Sequence, residues 1–178
     1  MPGTNLTREE AQQRASVVSD ASYDIALDLT TGSERFGSVT TLTFAATPGA
    51  STFVDLVDAE LESVELNGQA IDLAGYADSR IELTGLAANN TLVVAGSCLY
   101  SHSGEGLHRF VDPTDDRVYL YTQFEVPDAR RVFATFEQPD MDRLGEVLRI
   151  GRLQAIPPRH VTNHLLQHRG IFRVGNLG

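Results

Sequence analysis

From residue 23 to residue 30 the side chains change character at every second position, Tyr23, Ile25, Leu27 and Leu29 interleaving with Asp24, Ala26, Asp28 and Thr30. A period of two puts each set on its own face of a pleated strand, so this stretch predicts a half-buried antiparallel strand. Residues 36–46 are rich in threonine, valine and phenylalanine, and 53–57 form a short apolar run; both predict strands. Two further segments, 62–66 and 69–73, flank Asn67-Gly68 and predict a hairpin, because both central residues of a type I′ turn need positive φ. Strands are also expected at 80–83 and 91–99, around a turn-rich stretch at 84–90. One more is expected at 117–124, with Val118, Leu120 and Thr122 opposite Tyr119, Tyr121 and Gln123.

Helical signals are few. Thr7 stands three residues before Glu10, a capping box in which the hydroxyl accepts from a first-turn amide and the glutamate reaches back, so one short helix opens the chain. Pro127 at a first helical position and Asp128 beside it predict a second, over 127–133. Residues 101–116, with Gly104, Gly106, Pro113 and three aspartates, predict a long polar loop. About seven or eight strands, few helices and no internal repeat make this an all-β chain, an antiparallel β-sandwich or a bent, saddle-like sheet.

Length and charge narrow the classes. The chain has 178 residues and a net charge of −10, which argues against nonspecific nucleic-acid binding. No apolar run reaches the ~20 residues of a membrane span. The start lacks the basic-then-apolar layout of an export signal, and Cys98 is the single cysteine, so a cytoplasmic protein without disulfides is expected. The Asn5-Leu-Thr7 and Asn89-Asn-Thr91 sequons are therefore incidental. All 14 basic residues are arginine, which suits the codon bias of a GC-rich genome.

The charge is divided unevenly. Residues 1–141 hold 22 acidic and 8 basic side chains, whereas 142–178 hold 2 acidic and 6 basic. So abrupt a change marks a boundary near Met141. The tail is enriched in arginine, histidine and proline and lacks period-2 alternation, as a shifted reading frame in GC-rich DNA would be; an evolved C-terminal module is the alternative.

Three stretches taken together carry a resemblance. They are Gly104-Glu-Gly-Leu-His-Arg-Phe-Val-Asp-Pro113, then Tyr119-Leu-Tyr-Thr-Gln-Phe-Glu-Val-Pro-Asp-Ala-Arg-Arg131, then Phe136-Glu-Gln-Pro139. In order and spacing, from about residue 5 to residue 141, the chain resembles the N-terminal β-domain of the gluzincin zinc aminopeptidases, the aminopeptidase N family, in its actinobacterial form. The resemblance implies that the segment around Gln123 and Glu125 projects into the active-site cleft of the following domain. It implies that Glu125 helps bind the free α-ammonium of a peptide and that Gln123 lines the pocket for its first side chain. A fixed carboxylate in a poorly hydrated site suits that task, because opposite charges attract far more strongly there than in water. Read without the resemblance, the pair is a solvated strand end with Glu125 capping a helix.

The catalytic half of such an enzyme is not in these residues. The family holds zinc with two histidines of His-Glu-x-x-His and a further glutamate, and that motif does not occur in the 178 residues; nor does Gly-x-Met-Glu-Asn. The family pattern also stops directly after Pro139. His160-Val-Thr-Asn-His164 has the spacing of one helix face but carries valine where the peptidase base belongs, and His168 would lie ~12 Å from His160 along a helix. These histidines are taken as incidental, with a two-histidine metal site as the alternative. The expectation is therefore an N-terminal aminopeptidase fragment, residues 1–141, with a non-family tail, 142–178. It would have no zinc site of its own although zinc serves the parent family, and it would be inactive alone and prone to aggregate, the parent being a monomer that acts on peptide amino termini. A free-standing β-module that binds peptide amino termini is the second possibility. Asp112, Asp115 and Asp116 read as a solvated acidic loop, Cys98 as a core residue and His108 as a packing or interdomain histidine.

Overall fold

The computed structural model describes residues 6–124 and 128–136, apart from the side chain of Gln123. Glu125, Pro127, the boundary at Met141, and His160, His164 and His168 lie outside the described residues. Helix α1 spans Arg8–Val17 and begins with the expected box: the Glu10 amide donates to Thr7 Oγ1 at 3.2 Å, and the Thr7 amide donates to Glu10 Oε2 at 2.8 Å.

Among the described residues nine strands follow: β1 (Val18–Asp28), β2 (Arg35–Ala46), β3 (Thr52–Asp55), β4 (Glu60–Leu66), β5 (Gln69–Ala70), β6 (Arg80–Leu83), β7 (Asn89–Leu99), β8 (Gly106–Val111) and β9 (Val118–Gln123). They form a five-stranded sheet in the order β1-β2-β7-β4-β5 and two ribbons, β3-β6 and β8-β9; every pairing is antiparallel. The fold is all-β.

The period-2 pattern has its cause in one buried face. Tyr23, Ile25 and Leu27 of β1, Phe36, Leu42 and Phe44 of β2, and Leu92, Val94 and Cys98 of β7 point into a single core. Val54, Ile81 and Leu83 of the β3-β6 ribbon close that core from the other side, together with Phe133 and Phe136. Asn67 (φ 54°) and Gly68 (φ 77°) make the expected hairpin turn between β4 and β5. Gly96 is required where β7 meets the bulge of β4: a Cβ there would lie 2.5 Å from the Glu60 carbonyl oxygen.

Three expectations are corrected. The polar loop predicted over 101–116 contains β8, which pairs with β9 from Gly106↔Gln123 to Val111↔Val118. Its two faces carry similar mixtures, His108 and Phe110 against Leu107, Arg109 and Val111, so no alternation marks it. The strand predicted over 69–73 ends at Ala70, because Asp72 accepts from the Ala74 amide and starts a 3₁₀ turn at Leu73–Gly75. The helix predicted over 127–133 is one 3₁₀ turn, Ala129–Arg131, and Asp128 makes no side-chain cap. Tertiary bonds win over helix propagation there, since Ser38 Oγ donates to the Val132 carbonyl at 2.7 Å and the Ala134 amide donates to Thr40 Oγ1 at 3.2 Å.

Candidate functional site

The candidate site is the base of the β8-β9 ribbon, with the 101–105 loop and the 3₁₀ turn at Ala129–Arg131. Gln123 is the last residue of β9 and lies opposite Gly106. Gly106 has φ 62°, and a Cβ on it would meet Arg131 Cβ at 3.0 Å; glycine is what lets the ribbon base lie against the 3₁₀ turn. Thr122 Oγ1 donates to the Gly106 carbonyl at 2.7 Å, and the Phe124 ring meets Phe133 edge to face at 5.9 Å. The backbone just before Glu125 is thus held from two sides. Glu125 itself lies outside the described residues, as does the side chain of Gln123, so of this pair the structure places only the Gln123 backbone.

The 101–105 loop is tied to β8 by paired bonds: Ser101 donates to the Leu107 carbonyl and accepts from the Arg109 amide. His102 Nδ1 donates to the Arg109 carbonyl at 3.1 Å, and the Gly104 amide donates to His108 Nδ1 at 3.0 Å. The His108 ring stacks on Tyr121 at 4.5 Å. Glu105 pairs with Arg131 at 3.2 Å, and a cleft of about 160 Å³ opens beside Ser101, His102, Ser103, Glu105 and Arg131.

The aspartates of the ribbon tip are occupied by their own turn. Asp112 accepts from the Thr114 amide, while Asp115 accepts from the Arg117 amide and pairs with its guanidinium at 3.0 Å. Among the described residues no group of three or more His, Cys, Asp or Glu converges to hold a metal, so these residues do not fit the zinc ion of the resembled family. Cys98 is buried, and burial pushes its thiol up to about 12. No helix among the described residues is long and apolar enough to cross a membrane.

Sequence reasoning missed the charged cluster that carries α1. Arg14 donates to Asp55 Oδ2 at 2.9 Å with its side chain 1% exposed, and Arg80 donates to Glu10 Oε1 at 2.6 Å and faces Asp55 Oδ1 at 3.5 Å. Phe53 receives both guanidinium groups, Arg14 at 4.8 Å and Arg80 at 4.2 Å from its ring centre. The hydrogen bond from Arg80 holds the Glu10 carboxyl near pKa 2, far below its usual range, and burial opposes that shift. A helix whose inward face offers arginine rather than leucine leaves no apolar stripe to read, and the partners of Arg14 and Glu10, Asp55 and Arg80, lie far along the chain.

The fold and the ribbon point first to a class. The chain superposes on an M1 zinc metallopeptidase from Deinococcus radiodurans (an E323A mutant) with a TM-score of 0.51 and 19% identity, over 66% of this chain and 28% of that one, which shows a shared fold. No family model matches the sequence. An Aminopeptidase N from Streptomyces lividans is 58% identical over 146 residues, covering 79% of this chain and 17% of that protein. The chain belongs to the aminopeptidase N family and corresponds to a small part of that relative's length.

Proposed function

We propose that residues 1–141 are the N-terminal β-domain of a zinc-dependent aminopeptidase and that 142–178 are foreign to it. The observation that carries this is the 58% identity across 79% of the chain. The change in charge balance, from 22 acidic and 8 basic side chains in 1–141 to 2 and 6 in 142–178, supports a boundary near Met141.

In the parent enzyme Glu125 binds the α-ammonium of the peptide and Gln123 lines the pocket for the first side chain. The clamp on Thr122 and Phe124 supports this role, because a carboxylate selects a free amine only when its backbone is fixed. The metal and the general base belong to residues other than these 178, which contain no His-Glu-x-x-His, so this chain alone performs no hydrolysis. The single buried thiol suits a reducing cytoplasm.

The test uses the purified 178-residue chain, an aminoacyl reporter, and a short peptide with its acetylated twin. The expected result is no cleavage and no measurable binding. Binding of the free-amine peptide that Glu125→Ala weakens would instead indicate a self-standing peptide-binding module, and chelator-sensitive cleavage would overturn the proposal.

A further inference from the structure

The two histidines beside the ribbon base differ in what acid does to them. The partner of His102 Nδ1 is the Arg109 carbonyl, which only accepts, so that nitrogen carries a proton whether the ring is neutral or charged. The partner of His108 Nδ1 is the Gly104 amide, which only donates, so that nitrogen is bare and the neutral ring carries its proton on Nε2. Protonation leaves the first bond intact and abolishes the second, because two N–H groups cannot share one line. We propose that His108 is an acid-sensitive latch: neutral, it holds 103–105 against β8; protonated, it releases Gly104 and with it Glu105 from Arg131.

The surroundings support a local response. His102 faces the His108 ring edge to face at 6.3 Å and Tyr121 stacks on its other side. Asp58, Glu105 and Arg131 are the charged groups of the cleft beside the 101–105 loop, and Arg109, next to His108 in β8, lies on the opposite face of that strand. Protonated His108 keeps its Tyr121 contact as a cation over an aromatic face, so the ring stays while the loop leaves. Gly106, the residue after Glu105, pairs with Gln123, so the latch acts on the ribbon base directly. The inference rests on the geometry of the loop and stands whether or not Glu125 meets a peptide amine.

The test is amide hydrogen exchange on the full chain at about pH 8 and about pH 5, corrected for intrinsic rates, with His108→Asn beside the wild type. Asparagine places a carbonyl oxygen near the Nδ1 position and does not titrate in this range. The wild-type Gly104 amide is expected to lose about fivefold to tenfold in protection at the lower pH while Leu92 and Val94 in β7 stay constant. His108→Asn is expected to hold Gly104 equally at both. An unchanged wild-type Gly104, an equal loss in His108→Asn, or a parallel loss at Leu92 would overturn the latch. So would a nitrogen spectrum at pH 8 showing His108 protonated on Nδ1.

Discussion

Gly96 and Arg14 show how single side chains set the tolerance of this fold. Alanine at Gly96 must push the Glu60 carbonyl aside, so Gly96→Ala is expected to cost about 1–3 kcal/mol in denaturant unfolding, with an unchanged m-value. Removing Arg14 leaves Asp55 buried with part of its partner shell gone, and Arg14→Ala is expected to cost about 3–5 kcal/mol. Glu10 adds a pH dependence. Its folded pKa is depressed from 4.5 to about 2, so its contribution is complete above 4.5 and is lost as pH falls through that window. Glu10→Gln is expected to flatten the acid side of the stability curve, and equal acid slopes for variant and wild type would refute this.

At the scale of elements, contrast the two hairpins. The β4-β5 turn was readable because Asn67-Gly68 is a local conformational requirement, and Asn67 Oδ1 then accepts from the Thr91 amide to tie the turn to β7. The β8-β9 ribbon was half read: β9 was expected, and β8 was taken for loop. Its outer residues Phe110, Val111 and Tyr121 are exposed, and its register comes from pairing with a strand about ten residues further on. A two-stranded ribbon of this kind is marginal by itself. Amides of 109–120 are therefore expected to exchange well before those of β2 and β7, which flat exchange across all strands would contradict. In α1 the capping box was legible, and Thr7→Ala is expected to cost about 1 kcal/mol, read as a shift of the denaturation midpoint.

For the whole molecule, the expectation concerns edges. Among the described residues β1 pairs only with β2, and β3 is joined on its outer side by the single bridge Asp55↔Thr135. Unpaired strand edges template association. If residues outside the described ones do not cover these edges, the chain is expected to form soluble oligomers in scattering experiments and to melt below about 45 °C. A sharp two-state monomer would show that the edges are covered.

Pattern along the chain was enough to determine most of the strand-forming stretches (β8 excepted), the capped first helix, the Asn67-Gly68 turn and the all-β class, because each depends on neighbours within a few residues. The family resemblance was likewise carried by contiguous segments. Only the tertiary structure decided that Arg14 meets Asp55, that Ser38 and Thr40 turn 129–134 away from a helix, and that Gly104 donates to His108. Pairs such as Arg14 with Asp55 and Ser38 with Val132 join residues 41 and 94 positions apart, and no local period records which distant partner a buried polar group will find.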